Sequence, residues 1–208
     1  MASKTAEALR HPLHFRILHE IIILMIFLLI ITGFYIHRPF VPGGGFLMTS
    51  ARGFHFVCAG ILIVAFVLRI IGMFFGKYKD WRNFIPGASD FKLLPKVINY
   101  YAYFSKEEPE TKKKYNALQM MTYSVAFILI LFQIVSGFAL QYPDGWLRWF
   151  NYDIFYSEVY TRVAHYIVLW IFVLFIIIHV YLSLRSSFGE IKEMHLLSTP
   201  DVEETAKE

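Results

Sequence analysis

The sequence predicts an all-α membrane protein, a four-helix bundle with both termini on the cytoplasmic side. Three observations carry that prediction: the bulk composition, four long apolar runs, and an uneven placement of positive charge. Of 208 residues, 57% are hydrophobic and 17% charged, with a mean hydropathy of +0.49. Soluble domains average about 45–50% apolar and about 25% charged residues. A disordered chain would need low hydrophobicity and high charge. The one cysteine, Cys58, excludes an intrachain disulfide framework, a multi-cysteine metal site and covalent CxxCH attachment.

A helix needs about 20 apolar residues to cross the roughly 30 Å hydrocarbon core. Four runs qualify: 17–36, 54–75, 117–140 and 163–184. The first is longer than the apolar region of a cleavable signal and is followed by no A-x-A site, so it reads as a span. Lipid offers no partner to unpaired backbone groups, which makes helices the natural spanning form. Residues 1–190 thus form one four-span domain, and 191–208 a polar tail.

The connections differ. The first contains Pro39, Pro42, Gly43, Gly44 and Gly45 and predicts a turn segment. The second, 76–116, holds nine Lys/Arg; within it, 91–105 predicts a short surface helix. The third carries Trp146, Trp149, Tyr152 and Tyr156, suited to an interfacial aromatic belt. Because the first and third connections hold only two Lys/Arg each, the positive-inside rule puts the N-terminus, second connection and tail in the cytoplasm. Flanked by two spans, the basic connection reads as a partner for anionic lipid headgroups rather than for nucleic acid.

Ionisable residues inside a bilayer are costly and point to function. Depth sorts four histidines into two pairs. His19, near the start of the first span, and His179, near the end of the fourth, share the cytoplasmic half. His55 and His165 begin the second and fourth spans and share the outer half. His165 and His179 are separated by about 21 Å of helix and by only about 40° around it. Two imidazoles facing each other across a bundle core suit bis-histidine ligation of haem iron. A proton or metal transporter using intramembrane histidines is the reading from another class; it leaves the matched depths unexplained.

Three of these histidines sit in Arg-x-x-His: Arg16–His19, Arg52–His55 and Arg162–His165. Residues three apart share a helix face, so each guanidinium is placed either to meet a haem propionate or to anchor a span end. Gly33 lies on the His19 face at outer depth, where it either admits a porphyrin or serves helix packing. Asn116 and Gln119, at the start of the third span, suit either hydrogen bonds to a quinone carbonyl or a helix cap. His14 competes with His19. His37 reads as interfacial, His11 and His195 as solvated, Cys58 as an apolar filler, and Arg69 as snorkelling.

On Arg16-x-x-His19, Arg52-x-x-His55, the His165/His179 spacing and Lys114-Tyr115-Asn116-Ala117-Leu118-Gln119, the chain resembles the cytochrome b (gamma) subunit of membrane-bound formate dehydrogenases. More broadly it is similar to the cytochrome b subunits of nickel–iron hydrogenases. The resemblance implies two b haems, held by His19 with His179 and by His55 with His165. It also implies a menaquinone or ubiquinone site at Asn116, Gln119 and the His179 neighbourhood. It further implies an iron–sulfur subunit and a catalytic subunit as partners, in a prokaryotic inner membrane. Formate dehydrogenase relatives typically carry glycine where this chain has Leu118.

Overall fold

A computed structural model describes residues 13–42, 44–75, 81, 87–106, 116–186, 191–192 and 194–195. The described chain is helical, with α1 (Leu13–His37), α2 (Gly44–Phe75), α3 (Ala88–Tyr101), α4 (Ala117–Gln141) and α5 (Glu158–Ser186). Four of these, α1, α2, α4 and α5, are long and apolar enough to span a bilayer. They match the four predicted spans, and the chain is a multi-pass membrane protein.

The main departure from expectation is at α2. Its 32 residues start ten positions before the predicted boundary, so Gly44 and Gly45 open a helix instead of lying in the turn. At 1.5 Å per residue α2 runs about 48 Å, well beyond the roughly 30 Å apolar core. Backbone pairing, with no need for apolar side chains, extends it. The turn is set instead by proline. The last bond of α1 runs from Arg38 N to Phe34 O at 2.9 Å, and Pro39 offers no N–H to continue it.

The spans pair as two antiparallel hairpins, α1 with α2 and α4 with α5. Both turn at one end of the bundle, the hairpin end; the other is the terminal end. Phe66 of α2, Ile130 of α4, and Val168 and Phe172 of α5 form a central buried cluster, with Ile26 and Ile30 of α1 packed on it. Phe172 stands about two helical turns from both His165 and His179. The cluster therefore divides the bundle interior into two levels.

The hairpin end is closed by a single π-helical turn, Phe150–Ile154. There Asn151, fully buried, donates Nδ2–H to the Ala139 carbonyl at 2.7 Å. That satisfies one of the carbonyls that a helix C-terminus leaves open. In the same connection the Tyr152 hydroxyl donates to Glu158 Oε1 at 2.7 Å.

At the terminal end lies α3, three residues earlier than the predicted 91–105 segment. Its apolar side, Val97, Tyr100 and Tyr101, packs against Leu182 of α5 and Leu118 of α4. Polar ties reinforce the contact. Tyr181 donates its hydroxyl to the Tyr101 carbonyl at 2.5 Å. Arg185 donates to Tyr100 Oη at 3.2 Å, and its guanidinium lies 4.4 Å from the centre of that ring. Thus α3 braces the start of α4 and the end of α5 against each other.

Candidate functional site

At the hairpin-end level, His55 of α2 and His165 of α5 come within electrostatic range of one another. Each ring is held from the neighbouring helix of its own hairpin. Thr32 Oγ1 lies 2.7 Å from His55 Nδ1, and Ser136 Oγ lies 2.7 Å from His165 Nδ1. Gln133 adds a bond from Nε2 to the His165 carbonyl at 3.2 Å. Beside each hydroxyl stands a glycine. A Cβ on Gly33 would fall 2.6 Å from Leu169 Cδ1 and 3.9 Å from His55 Cε1, and one on Gly137 would fall 3.6 Å from His165 Cε1.

These residues form an internal repeat. Thr32-Gly33-Phe34 on α1 corresponds to Ser136-Gly137-Phe138 on α4, and Arg52-x-x-His55 on α2 to Arg162-x-x-His165 on α5. The two hairpins build the hairpin-end level as near copies, a hydroxyl and a glycine from the first helix meeting a histidine from the second. Reading the sequence span by span misses this. The signal that finds it is the recurring hydroxyl-Gly-Phe triplet followed, across a connection, by Arg-x-x-His.

The terminal-end level breaks the symmetry. By the same correspondence, His19 on α1 matches Tyr123 on α4, and Arg69 on α2 matches His179 on α5. The His19 and His179 rings face each other with centroids 6.5 Å apart, tilted by 54°. Phe175 stacks on His179 at 5.6 Å, and Tyr123 presents an edge to it at 6.4 Å. The Arg69 guanidinium lies 4.1 Å from the centre of the Phe15 ring. His195, expected to be solvated in the tail, instead sits with its ring 6.0 Å from that of His19 and its Nδ1 2.9 Å from Glu20 Oε1. Glu20 Oε1 is 4.0 Å from His19 Nδ1.

Two levels of paired histidines, each on two helices of an apolar four-helix bundle, are the arrangement of a membrane b-type cytochrome. The chain belongs to the prokaryotic cytochrome b561 family. The match covers residues 10–195, so the family region takes in His195. Among relatives of this b561-family chain is a probable Ni/Fe-hydrogenase B-type cytochrome subunit of Bradyrhizobium diazoefficiens. It is 28% identical over 186 residues, covering 82% of this chain and 75% of the relative. A protein of the same description from Azotobacter vinelandii is 28% identical over 203 residues, with 88% and 82% covered. The probable Ni/Fe-hydrogenase 1 B-type cytochrome subunit of Escherichia coli K12 is 26% identical over 187 residues, with 82% and 79% covered. No solved structure matches the chain significantly.

Membership of a b-type cytochrome family implies haem b, and the residues fit it. Each level offers two imidazoles on separate helices, a donor set that would suit haem iron. Gly137 leaves space beside the His165 ring, while at Gly33 the space next to His55 is already taken by the Leu169 side chain, so neither position carries a side chain of its own against the rings. Among the described residues, no three His, Cys, Asp or Glu converge to hold an ion without a porphyrin.

The remaining predicted residues separate by location. Arg16 is buried beside His19, whereas Arg52 and Arg162 are exposed at the hairpin end. Asn116 caps α4 through a reciprocal box. Its Oδ1 accepts from Gln119 N at 2.9 Å, its own N–H donates to Gln119 Oε1 at 3.0 Å, and its Nδ2 donates to Tyr101 Oη at 3.0 Å. His14 is exposed. His37 stacks on Tyr166 at 3.7 Å, and Cys58 is buried among Met25 and Leu62. The Arg69 guanidinium lies over Phe15, near the start of α1 and so toward the terminal end. Outside the spans, the hydrogen bond to Glu158, ahead of burial, holds the Tyr152 phenol above its ordinary range.

Proposed function

We propose that this chain is the haem-b membrane subunit of a hydrogenase-type respiratory oxidoreductase, passing electrons between an iron–sulfur partner and the quinone pool. The observation that carries the reading is the pair of histidine levels, His55 with His165 and His19 with His179, within one apolar bundle. Two haems, when bound there, would supply one-electron carriers at two depths of the membrane. The protein would contribute the imidazoles that hold them, the apolar interior between the levels, and the charged residues at each end. Arg16, Arg52 and Arg162 are suited to propionates, Arg16 from inside the bundle and the other two from its rim. The terminal end faces the cytoplasm on the charge distribution, which leaves the hairpin end on the outer side.

The quinone is the substrate, and the terminal end is the side we assign to it. Asn116 acts there through the cap that starts α4, since its side chain is already engaged with Gln119 and Tyr101. Gln119 Nε2 and the surroundings of His179 remain the groups for a quinone carbonyl.

The formate-linked partner implied by the first resemblance gives way here to a nickel–iron hydrogenase. Relatives bearing that description align with most of the chain, and Leu118 already departs from the formate dehydrogenase pattern. The test is a haemochrome assay and reduced-minus-oxidised spectrum on the purified protein, followed by the same spectrum in native membranes supplied with hydrogen or with formate. Two b haems per chain, reduced by hydrogen, are expected. Reduction by formate alone would restore the formate dehydrogenase reading. Absence of haem from correctly inserted protein would overturn both.

A further inference from the structure

We infer, on the two-haem reading above, that Thr32 and Ser136 are paired positioning residues that fix the tautomer and ring orientation of His55 and His165, and so tune the hairpin-end haem separately from the other. Each hydroxyl approaches a carbonyl of its own helix. Thr32 Oγ1 is 2.8 Å from the Leu28 carbonyl oxygen, and Ser136 Oγ is 2.6 Å from that of Phe132. Two oxygens this close need a proton between them. A carbonyl has none, so each hydroxyl donates its single hydrogen to its backbone.

What each hydroxyl has left for the histidine is a lone pair. The 2.7 Å contacts to His55 and His165 must then be Nδ1–H donating to oxygen. With the proton on Nδ1, the lone pair of each ring lies on Nε2, the atom left to serve as axial ligand. One geometry repeated on both hairpins gives the same tautomer twice. Thr32 and Ser136 are buried, so water does not compete for the bond.

At the terminal-end level, the described residues supply no such device for His19. Nδ1 of His19 is buried without a hydrogen-bond partner among the described residues, and Glu20 Oε1 stands 4.0 Å from it. The asymmetry has a predictable sign. An acceptor on the distal N–H makes an imidazole more basic and a stronger donor to the metal, which favours ferric over ferrous iron and lowers the reduction potential. Removing the acceptor raises it.

The test is an optical redox titration, with low-spin EPR, of the detergent-purified full chain. Compared are wild type, Thr32→Val, Ser136→Ala, their double variant, and the conservative Thr32→Ser and Ser136→Thr. The hairpin-end haem is identified by its loss in His55→Ala. Expected is an upward shift of its midpoint in each single variant, larger in the double, with altered EPR g-values. The terminal-end haem should keep its wild-type midpoint, and the conservative variants should keep both values. Unchanged potential and g-values in both single variants would overturn the inference, as would equal shifts of the two haems. If the double variant loses the hairpin-end haem, the singles carry the test. Wild-type protein without two haems would instead be a failure of the functional reading itself.

Discussion

The two histidine levels are built by opposite strategies. At the hairpin end, two near-identical hairpins each supply a histidine, a hydroxyl and a glycine, and every ring has a hydrogen-bond partner at 2.7 Å. At the terminal end, one histidine comes from α1 and one from α5. The positions matching them are Tyr123 and Arg69, and the neighbours are aromatic rings, Glu20 and His195. A symmetric level holds its contents by local bonds repeated twice. An asymmetric one has two different sides, which suits a place where a substrate approaches from one of them.

The sharpest way to break the comparison is to remove ligands level by level. His55→Ala or His165→Ala should abolish only the hairpin-end haem, and His19→Ala or His179→Ala only the other, as read by haemochrome content and difference spectra. Simultaneous loss of both haems from any one of them, in protein that still inserts, would mean that the levels are not independent sites.

A smaller effect is expected from Gly33→Val. Its Cβ would meet Leu169 Cδ1 at 2.6 Å, and overpacking of this kind costs about 1–3 kcal/mol. At the middle of that range the hairpin-end haem should bind about thirtyfold more weakly, with the terminal-end haem unaffected. Because the clash is with the end of a flexible side chain, Leu169→Ala in the same chain should restore much of the affinity. Haem titration of the four proteins measures the coupling.

Smaller again is Asn116→Ala. Loss of a helix N-cap typically costs about 1 kcal/mol, so the thermal midpoint should fall slightly while both haems stay. Binding of a quinone analogue, followed by its effect on the haem spectrum, should weaken only modestly. Abolished binding at unchanged stability would instead make Asn116 a direct quinone contact.

The smallest effect lies in the α4–α5 connection. The Tyr152 phenol is raised because Glu158 accepts a hydrogen bond from its hydroxyl, so the neutral form is the one the fold favours. The bond contributes fully below the ordinary tyrosine value of about 10 and is lost as pH rises through the higher folded value. An ultraviolet titration of wild type against Tyr152→Phe should show one phenol ionising above the ordinary range. An ordinary value would remove that bond from the hairpin end without touching either histidine level.

The four spans were legible because hydrocarbon imposes a length and a composition on any helix that crosses it. The histidine pairs were legible because ionisable groups stand out against such runs. The start of α2 was not, since helix can continue beyond the apolar stretch wherever the backbone stays paired; neither was the packing of Arg69 on Phe15. The roles of the Thr32 and Ser136 hydroxyls were not legible for a different reason. A Thr or Ser in an apolar helix looks like any other small polar residue bonding to its own backbone, and both do so here. Their second contacts depend on which helix lies alongside.

By itself the sequence determined a membrane-spanning four-helix architecture and the depths of its histidines, because helical rise converts residue number into distance along the membrane normal. Tertiary structure alone decided the partners around each histidine. It set Thr32 against His55, Ser136 against His165, and the tail residue His195 against Glu20. Rotation of each helix about its axis, and the choice of neighbour, depend on packing among all the helices at once, and no single span encodes either.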